Sequence, residues 1–267
     1  ETVTVAERTN PVYNTTYINP GETYKYTNNG SRELDVFKNG LSCDYVIYNA
    51  DNSISSYGVN STAEKLTVPI NGSIYITAHD YINIKGLYDY FTVAKANKEV
   101  FNTITCTLGE THLFTNNGVK DIKLFLSSGS YDYVIYNADN SVGKVAMNAS
   151  GTELTVPSGS KCVITPLVSS ISVHALETAF TVGTRSYPVL KRAEAYFGET
   201  ITMTNISSMD REIYSATGTY IDYATYDSGG NPQEAKELAA PSSITVPAGG
   251  RTDLRVRASN ITVGGLF

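Results

Sequence analysis

Oxygen-bearing side chains gather in one short segment, Asp44-Tyr45-Val46-Ile47-Tyr48-Asn49-Ala50-Asp51-Asn52-Ser53, which returns unchanged 88 residues later as Asp132 to Ser141. A worn third copy, Asp222-Tyr223-Ala224-Thr225-Tyr226-Asp227, follows after a further 90 residues. Hard cations want several oxygen ligands at once, so Asp44, Asn49 and Asp51, with Asp132, Asn137 and Asp139, form candidate Ca²⁺ sets. The third copy continues Ser228-Gly229-Gly230-Asn231 and holds fewer oxygens, so a metal would occupy the first two copies and not the third. The competing reading makes Tyr48, Tyr136 and Tyr226 core aromatics and the aspartate a hydrogen-bonded clamp on turn amides, because an isolated buried carboxylate is costly. Strand alternation puts Asp44, Val46 and Tyr48 on one face and Tyr45, Ile47 and Asn49 on the other. In the third copy the second face becomes Tyr223, Thr225 and Asp227, too polar for a deep core, so the Asp face is expected to point inward. Tyr45, Tyr133 and Tyr223 are then outward candidates for stacking on a sugar or contacting a protein, or simple cross-strand partners.

Other chemistry is sparse. His79, His112 and His174 fall at different phases of the repeat, and there is no His-Glu-x-x-His, Gly-x-Ser-x-Gly, phosphate loop or Cys-x-x-Cys, so no enzyme is expected. Charged residues are 17% of the chain and the formal net charge is −6, which leaves no basic face for nucleic acid. No apolar run approaches the roughly 18 residues of a spanning helix, so membrane insertion is not expected. Cys106 aligns with Ile18 and Cys162 with Ile74, which implies packed thiols or a single Cys106 to Cys162 bridge; Cys43, aligned with Tyr131, is expected to be partly exposed. Twenty tyrosines, no tryptophan and turns crowded with Asn, Ser and Thr have the texture of an extracellular β protein. Seven Asn-x-Ser/Thr sequons fall at Asn14, Asn29, Asn60, Asn71, Asn148, Asn205 and Asn260, a number that such a composition produces by chance. The first residue is Glu1, without an initiator Met or signal peptide, which suggests a mature or excised segment.

The elements that carry these residues repeat with the same beat. Gly21-Glu22-Thr23 recurs as Gly109-Glu110-Thr111 and Gly198-Glu199-Thr200, and Leu66-Thr67-Val68-Pro69 as Leu154-Thr155-Val156-Pro157 and Ile244-Thr245-Val246-Pro247. Apolar positions alternate, as in Leu34 and Val36 or Ile74 and Ile76, and turn signals interrupt every 8 to 12 residues or so, the pattern of antiparallel sandwiches. The fold class expected is all-β: three tandem antiparallel β-sandwich domains, jelly-roll or Ig-like, over 1–88, 89–177 and 178–267. Phe91-Thr92-Val93 and Phe180-Thr181-Val182 could instead close a unit, and Thr2-Val3-Thr4-Val5 stands 88 residues before the first of them. Pro232 to Ala240 reads as a helical turn private to the third copy.

The order of features, Gly-x-Thr, then Asp-Tyr-Val-Ile-Tyr-Asn-Ala-Asp-Asn-Ser, then Leu-Thr-Val-Pro, Tyr-Ile-Thr and Tyr-Phe-Thr-Val, resembles bacterial pre-peptidase C-terminal domains. That resemblance implies a jelly-roll-like, non-catalytic sandwich beside secreted hydrolases or on cell-surface proteins, with Ca²⁺ or an extracellular polymer as ligand in some members. The function expected is an extracellular or cell-surface repeat module for adhesion, ligand binding or spacing, with a protein or glycan ligand; repetition would add avidity. The alternative is a structural assembly subunit of a surface layer, fibre or phage appendage, a homo-oligomer through terminal-strand pairing.

Overall fold

The computed structural model describes residues 6–215, 220–239, 241 and 243–266. The described residues form 26 strands and no helix. In the first repeat these are β1 (Tyr13–Ile18), β2 (Thr23–Asn28), β3 (Leu34–Lys38), β4 (Cys43–Tyr48), β5 (Ile54–Ser61), β6 (Lys65–Val68), β7 (Ser73–Ala78), β8 (Ile82–Leu87) and β9 (Phe91–Ala96). The second has β10 (Phe101–Thr107), β11 (Thr111–Asn116), β12 (Ile122–Leu126), β13 (Tyr131–Tyr136), β14 (Val142–Ala149), β15 (Glu153–Val156), β16 (Lys161–Pro166), β17 (Ser170–Leu176) and β18 (Phe180–Arg185). The third has β19 (Leu190–Ala195), β20 (Thr200–Thr204), β21 (Arg211–Ser215), β22 (Ile221–Tyr226), β23 (Pro232–Ala239), β24 (Ser243–Val246), β25 (Arg251–Val256) and β26 (Ile261–Leu266).

Each repeat makes two antiparallel sheets in the same order, except that among the described residues the third has no strand equivalent to β9 and β18 and its second sheet is given from the opposite edge. The first has β1-β8-β3-β6 and β5-β4-β7-β2-β9, the second β10-β17-β12-β15 and β14-β13-β16-β11-β18, the third β19-β26-β21-β24 and β20-β25-β22-β23. Tyr48, Tyr136 and Tyr226 end equivalent strands and pair with the equivalent Ser73, Lys161 and Arg251. The phase of the repeat follows from β9, which pairs along its length with β2 of the same repeat, from Thr23 opposite Ala96 to Asn28 opposite Phe91. Phe91-Thr92-Val93 therefore closes a sandwich, and the crossings to the next one fall just before Val100 and Val189 rather than at 88 and 177. Thr2 to Val5 lie outside the described residues.

By packing, the chain divides into two compact units: residues 1–104 with 116–125 and 173–181, and residues 105–115 with 126–172 and 182–267. In the first unit Ile18, Tyr26, Val36, Cys43, Ile74, Ile76 and Ile84 form one core, with Phe91 edge-on to Tyr26 at 6.3 Å. Each such side chain contributes roughly 1.5 to 3 kcal/mol by burial. In the second unit a core gathers Ile213, Tyr223, Ile244, Val246, Leu254 and Val263. A buried asparagine accounts for the Thr-Asn repeat marker: Asn28 donates to the carbonyls of Arg32, Val68 and Pro69, and Asn205 likewise to those of Met209, Val246 and Pro247. A buried amide satisfied this fully ties two turns together.

Two local expectations are corrected. Pro232–Ala239 is a strand, paired with β22 from Tyr223 opposite Lys236 to Tyr226 opposite Pro232; pairing outweighs the helix-forming tendency of Gln-Glu-Ala-Lys-Glu, and proline is tolerated at the start of an edge strand. Cys43 is buried, as are Cys106 and Cys162, and all three are free thiols. Cys43 points with Ile47 into the sandwich, where Tyr131 stands in the second repeat.

Candidate functional site

The repeated aspartate sits at the head of its strand, opposite a bulge in the next strand. The ladder between β4 and β5 slips between Cys43 and Tyr45, that between β13 and β14 between Tyr131 and Tyr133, and that between β22 and β23 between Ile221 and Tyr223. At each bulge a non-glycine residue takes positive φ: Asn60 at 50°, Asn148 at 55° and Leu238 at 48°. The aspartate holds that residue in place. Asp44 accepts from the Asn60 amide at 2.9 Å, Asp132 from the Asn148 amide at 3.0 Å and Asp222 from the Leu238 amide at 3.0 Å. A left-handed conformation costs about 1 kcal/mol or more without glycine, and a charge-assisted hydrogen bond of roughly 1.5 to 3 kcal/mol offsets it.

Each clamp also has a cationic or imidazole neighbour, drawn from a different place. His79 Nε2 lies 2.9 Å from Asp44 Oδ1. Arg192 of β19 grips Asp132 with two bonds, Nε to Oδ2 at 2.9 Å and Nη2 to Oδ1 at 3.0 Å, and also donates to Asn148 Oδ1 at 2.6 Å. Arg257 reaches Asp222 at 3.3 Å.

The other oxygens of the candidate Ca²⁺ sets stand at the far end of the strand. Five residues of strand separate Asp44 from Asn49, roughly 16 Å, so they cannot share one ion. Asn49 and Asp51 occupy the following turn, where Asn49 donates to Ser53 Oγ at 2.9 Å and Asp51 accepts from the Ser53 amide at 2.9 Å. Asn137 and Asp139 repeat this with Ser141 at 3.0 and 2.9 Å. Hydrogen bonds from Ser53 hold the Asp51 carboxyl below the usual carboxylate range, and Ser141 does the same for Asp139. Among the described residues no three His, Cys, Asp or Glu side chains converge as a metal cluster. The thiols offer no ready nucleophile, since burial pushes Cys43 up to about 11 and Cys106 up to about 12.

The faces of the Tyr strand are the reverse of the sequence expectation. Tyr133 and Tyr223 are buried and Tyr45 is half-buried against the core of its own sandwich, beside Cys43 and Ile47. The Asp face looks outward, and there Val134 packs with Val163, Val189, Leu190 and Tyr136. Tyr45, Tyr133 and Tyr223 therefore do not offer an open stacking surface.

In the first unit, this outward face borders a groove that the sequence did not disclose, about 830 Å³ in volume and lined among others by Lys25, Tyr48, Tyr75, Lys98, Lys120 and Glu177. Tyr48 and Tyr75 meet edge to face at 5.8 Å, Lys25 Nζ lies 5.3 Å over the Tyr75 ring, and the Tyr48 hydroxyl is 2.6 Å from that of Thr178. Lys120 donates to the Ile54 carbonyl at 2.9 Å and Lys98 pairs with Glu177. Four lysines and two glutamates line it, on a chain whose net charge is −6. In the second unit the residues aligned with Lys25 and Tyr75 are Leu113 and Val163, packed in an apolar cluster. That departure from the repeat, Lys for Leu and Tyr for Val, was the signal available in the sequence.

Among the described residues no helix is long and apolar enough to cross a membrane. No protein-family model matches the chain, and no curated protein matches its sequence.

Proposed function

We propose that this is a non-catalytic extracellular or cell-surface repeat module that binds an acidic oligosaccharide in the groove of its first unit. The observation that carries this reading is the replacement of Leu113 and Val163 by Lys25 and Tyr75 at matching positions of the fold, which turns an apolar packing site into an aromatic and basic one. Its volume lies within the range of small-ligand sites, and ammonium groups beside aromatic rings suit a ring-shaped, carboxylated ligand. The aspartates common to the repeats are used in hydrogen-bonding the backbone, which fits a scaffold better than a reaction centre. The resemblance to pre-peptidase C-terminal domains points the same way.

The test is calorimetric titration of the full chain with an oligogalacturonate and with its methyl-esterified, neutral counterpart. Lys25→Leu with Tyr75→Val installs side chains that already pack at this place in the second unit, so the fold is retained. The acidic oligomer should bind, the neutral one more weakly, and the double variant should lose binding. Equal binding by the double variant would remove the groove from consideration.

A further inference from the structure

Three positions on the leading edge of each repeat correspond: Val12, Val100 and Val189; Tyr13, Phe101 and Leu190; Phe37, Phe125 and Tyr214. In the second and third repeats the first two are covered, with Val100 exposed by 4%, and Val189, Phe101 and Leu190 by 1% each. In the first repeat Val12 is 58% exposed, Tyr13 40% and Phe37 38%.

What covers the later edges is the β5-type strand of the repeat before. Within the first unit, Tyr57 of β5 places its ring 6.4 Å from Phe101 and 6.1 Å from Phe125, and its hydroxyl accepts from the Lys123 amide at 3.0 Å. The Thr77 hydroxyl accepts from the Val100 amide at 2.9 Å. Within the second unit, Val145 and Met147 of β14 pack in one cluster with Leu190 and Tyr214, and the Thr165 hydroxyl accepts from the Val189 amide at 2.9 Å. The first repeat carries its half of the same joint. Tyr13 and Phe37 stand edge to face at 6.0 Å as Phe101 and Phe125 do at 5.9 Å. The Tyr88 amide donates to the Val12 carbonyl at 3.1 Å as the Glu177 amide donates to that of Val100 at 3.0 Å.

We infer that the leading edge of the first repeat docks a further β-sandwich repeat of this same kind, carried ahead of it on the same polypeptide, and Thr2-Val3-Thr4-Val5 stands in sequence where Tyr90-Phe91-Thr92-Val93 ends the first repeat. Val5 precedes Val12 by the seven residues that separate Val93 from Val100 and Val182 from Val189. A second copy of this chain is a poorer occupant. Its third repeat has Arg255 at the place of Thr77 and Thr165, Ala224 at that of Val46 and Val134, and Ala235 and Glu237 at those of Val145 and Met147. Its β23 is exposed from Pro232 to Leu238 and carries the Lys236 to Glu234 ion pair, a polar face unlike those that cover Val100 and Val189. This inference is independent of the groove's ligand.

The test fuses a copy of residues 6–88 directly ahead of Glu1 of the full chain, so that Thr2 to Val5 follow the added copy at the sequence positions of Tyr90 to Val93, and reads amide hydrogen exchange. Val12 and Tyr13 should slow to the rates of Val100 and Phe101 in the same molecule. With Tyr57→Ala and Thr77→Arg in the added copy alone, they should return to the rates of the unextended chain while the added repeat keeps its own core protected. A folded added repeat that leaves Val12 and Tyr13 unchanged would overturn the inference, and an added repeat that fails to fold on this edge counts against it equally. Concentration-dependent protection of Val12 and Tyr13 in the unextended chain, with a dimer mass in sedimentation, would assign the edge to a second copy instead.

Discussion

Replacing Asp132 by Asn tests what the charge of the repeated aspartate and its Arg192 partner contribute, because the substitution keeps the shape while neutralising the carboxylate and turning one acceptor oxygen into a donor. Asp132 is 1% exposed and is gripped twice by Arg192, so the loss approaches that of breaking a buried pair, about 3 to 5 kcal/mol. Two features reduce it. The Arg192 side chain keeps 28% of its surface in water, and it retains Asn148 Oδ1 as an acceptor at 2.6 Å. A cost of about 2 kcal/mol is expected, close to one charge-assisted hydrogen bond. For a unit of this size that lowers the melting temperature by about 4 to 8 °C. Asp222→Asn is the internal control: its partner Arg257 is 3.3 Å away and both side chains are about a third exposed, so its cost should stay below about 1 kcal/mol. The assay is calorimetric melting of both variants, with Arg192→Gln and the Asp132→Asn, Arg192→Gln double variant to isolate the coupling. Equal losses for Asp132→Asn and Asp222→Asn, or additive losses in the cycle, would refute the contribution assigned to Arg192.

Two more outcomes follow from the turns. Chelator should leave the melting temperature unchanged, since Asp44 and Asn49 are too far apart for one ion; a fall of several degrees would overturn the geometric argument. The carboxyls of Asp51, Asp139 and Asp227 are held below the usual range by hydrogen bonds from Ser53, Ser141 and Asn231. A depressed folded value means that their contribution is present above the unfolded value of about 3.9 and is lost as pH falls through the lower folded one. Replacing all three by Asn should flatten the melting temperature between roughly pH 4 and 2, and an unchanged slope would show that the turns do not feel these charges.

The period, the strands and the turns were legible because each rests on local chemistry repeated three times. Gly21, Gly109 and Gly198 all take φ near +80°, a requirement written in the recurring Gly-Glu-Thr, and Asn28 and Asn205 make the same three carbonyl contacts from the same Thr-Asn. The facing of β4 and β13 was not legible. Alternation identifies an inner face when the other is wet, whereas here Tyr133 packs inward and Val134 packs against Val189 and Leu190 of another repeat. Ala224 at the matching position of the third copy is the trace of that second contact, visible only once the neighbour is known. Arg192 was out of reach for the same reason, since it lies 60 residues from the carboxylate it holds.

The near-identity of β4 and β13 has a consequence for folding. Neighbouring domains that share a hairpin sequence can exchange it while they form, and such misassembly is a common failure of repeat proteins. Here the second strand of each hairpin differs. Gly58 lies under the Tyr45 ring, so close that a Cβ would come within 2.7 Å of it, whereas the second repeat has Ala146 opposite Tyr133. A β4 strand that captured β14 in place of β5 would bring that methyl group to Tyr45, whose ring would have to leave the place it takes over Gly58 for the one Tyr133 takes beside Ala146. The two hairpins thus differ where their strands meet, Gly58 in one and Ala146 in the other, although β4 and β13 are nearly identical.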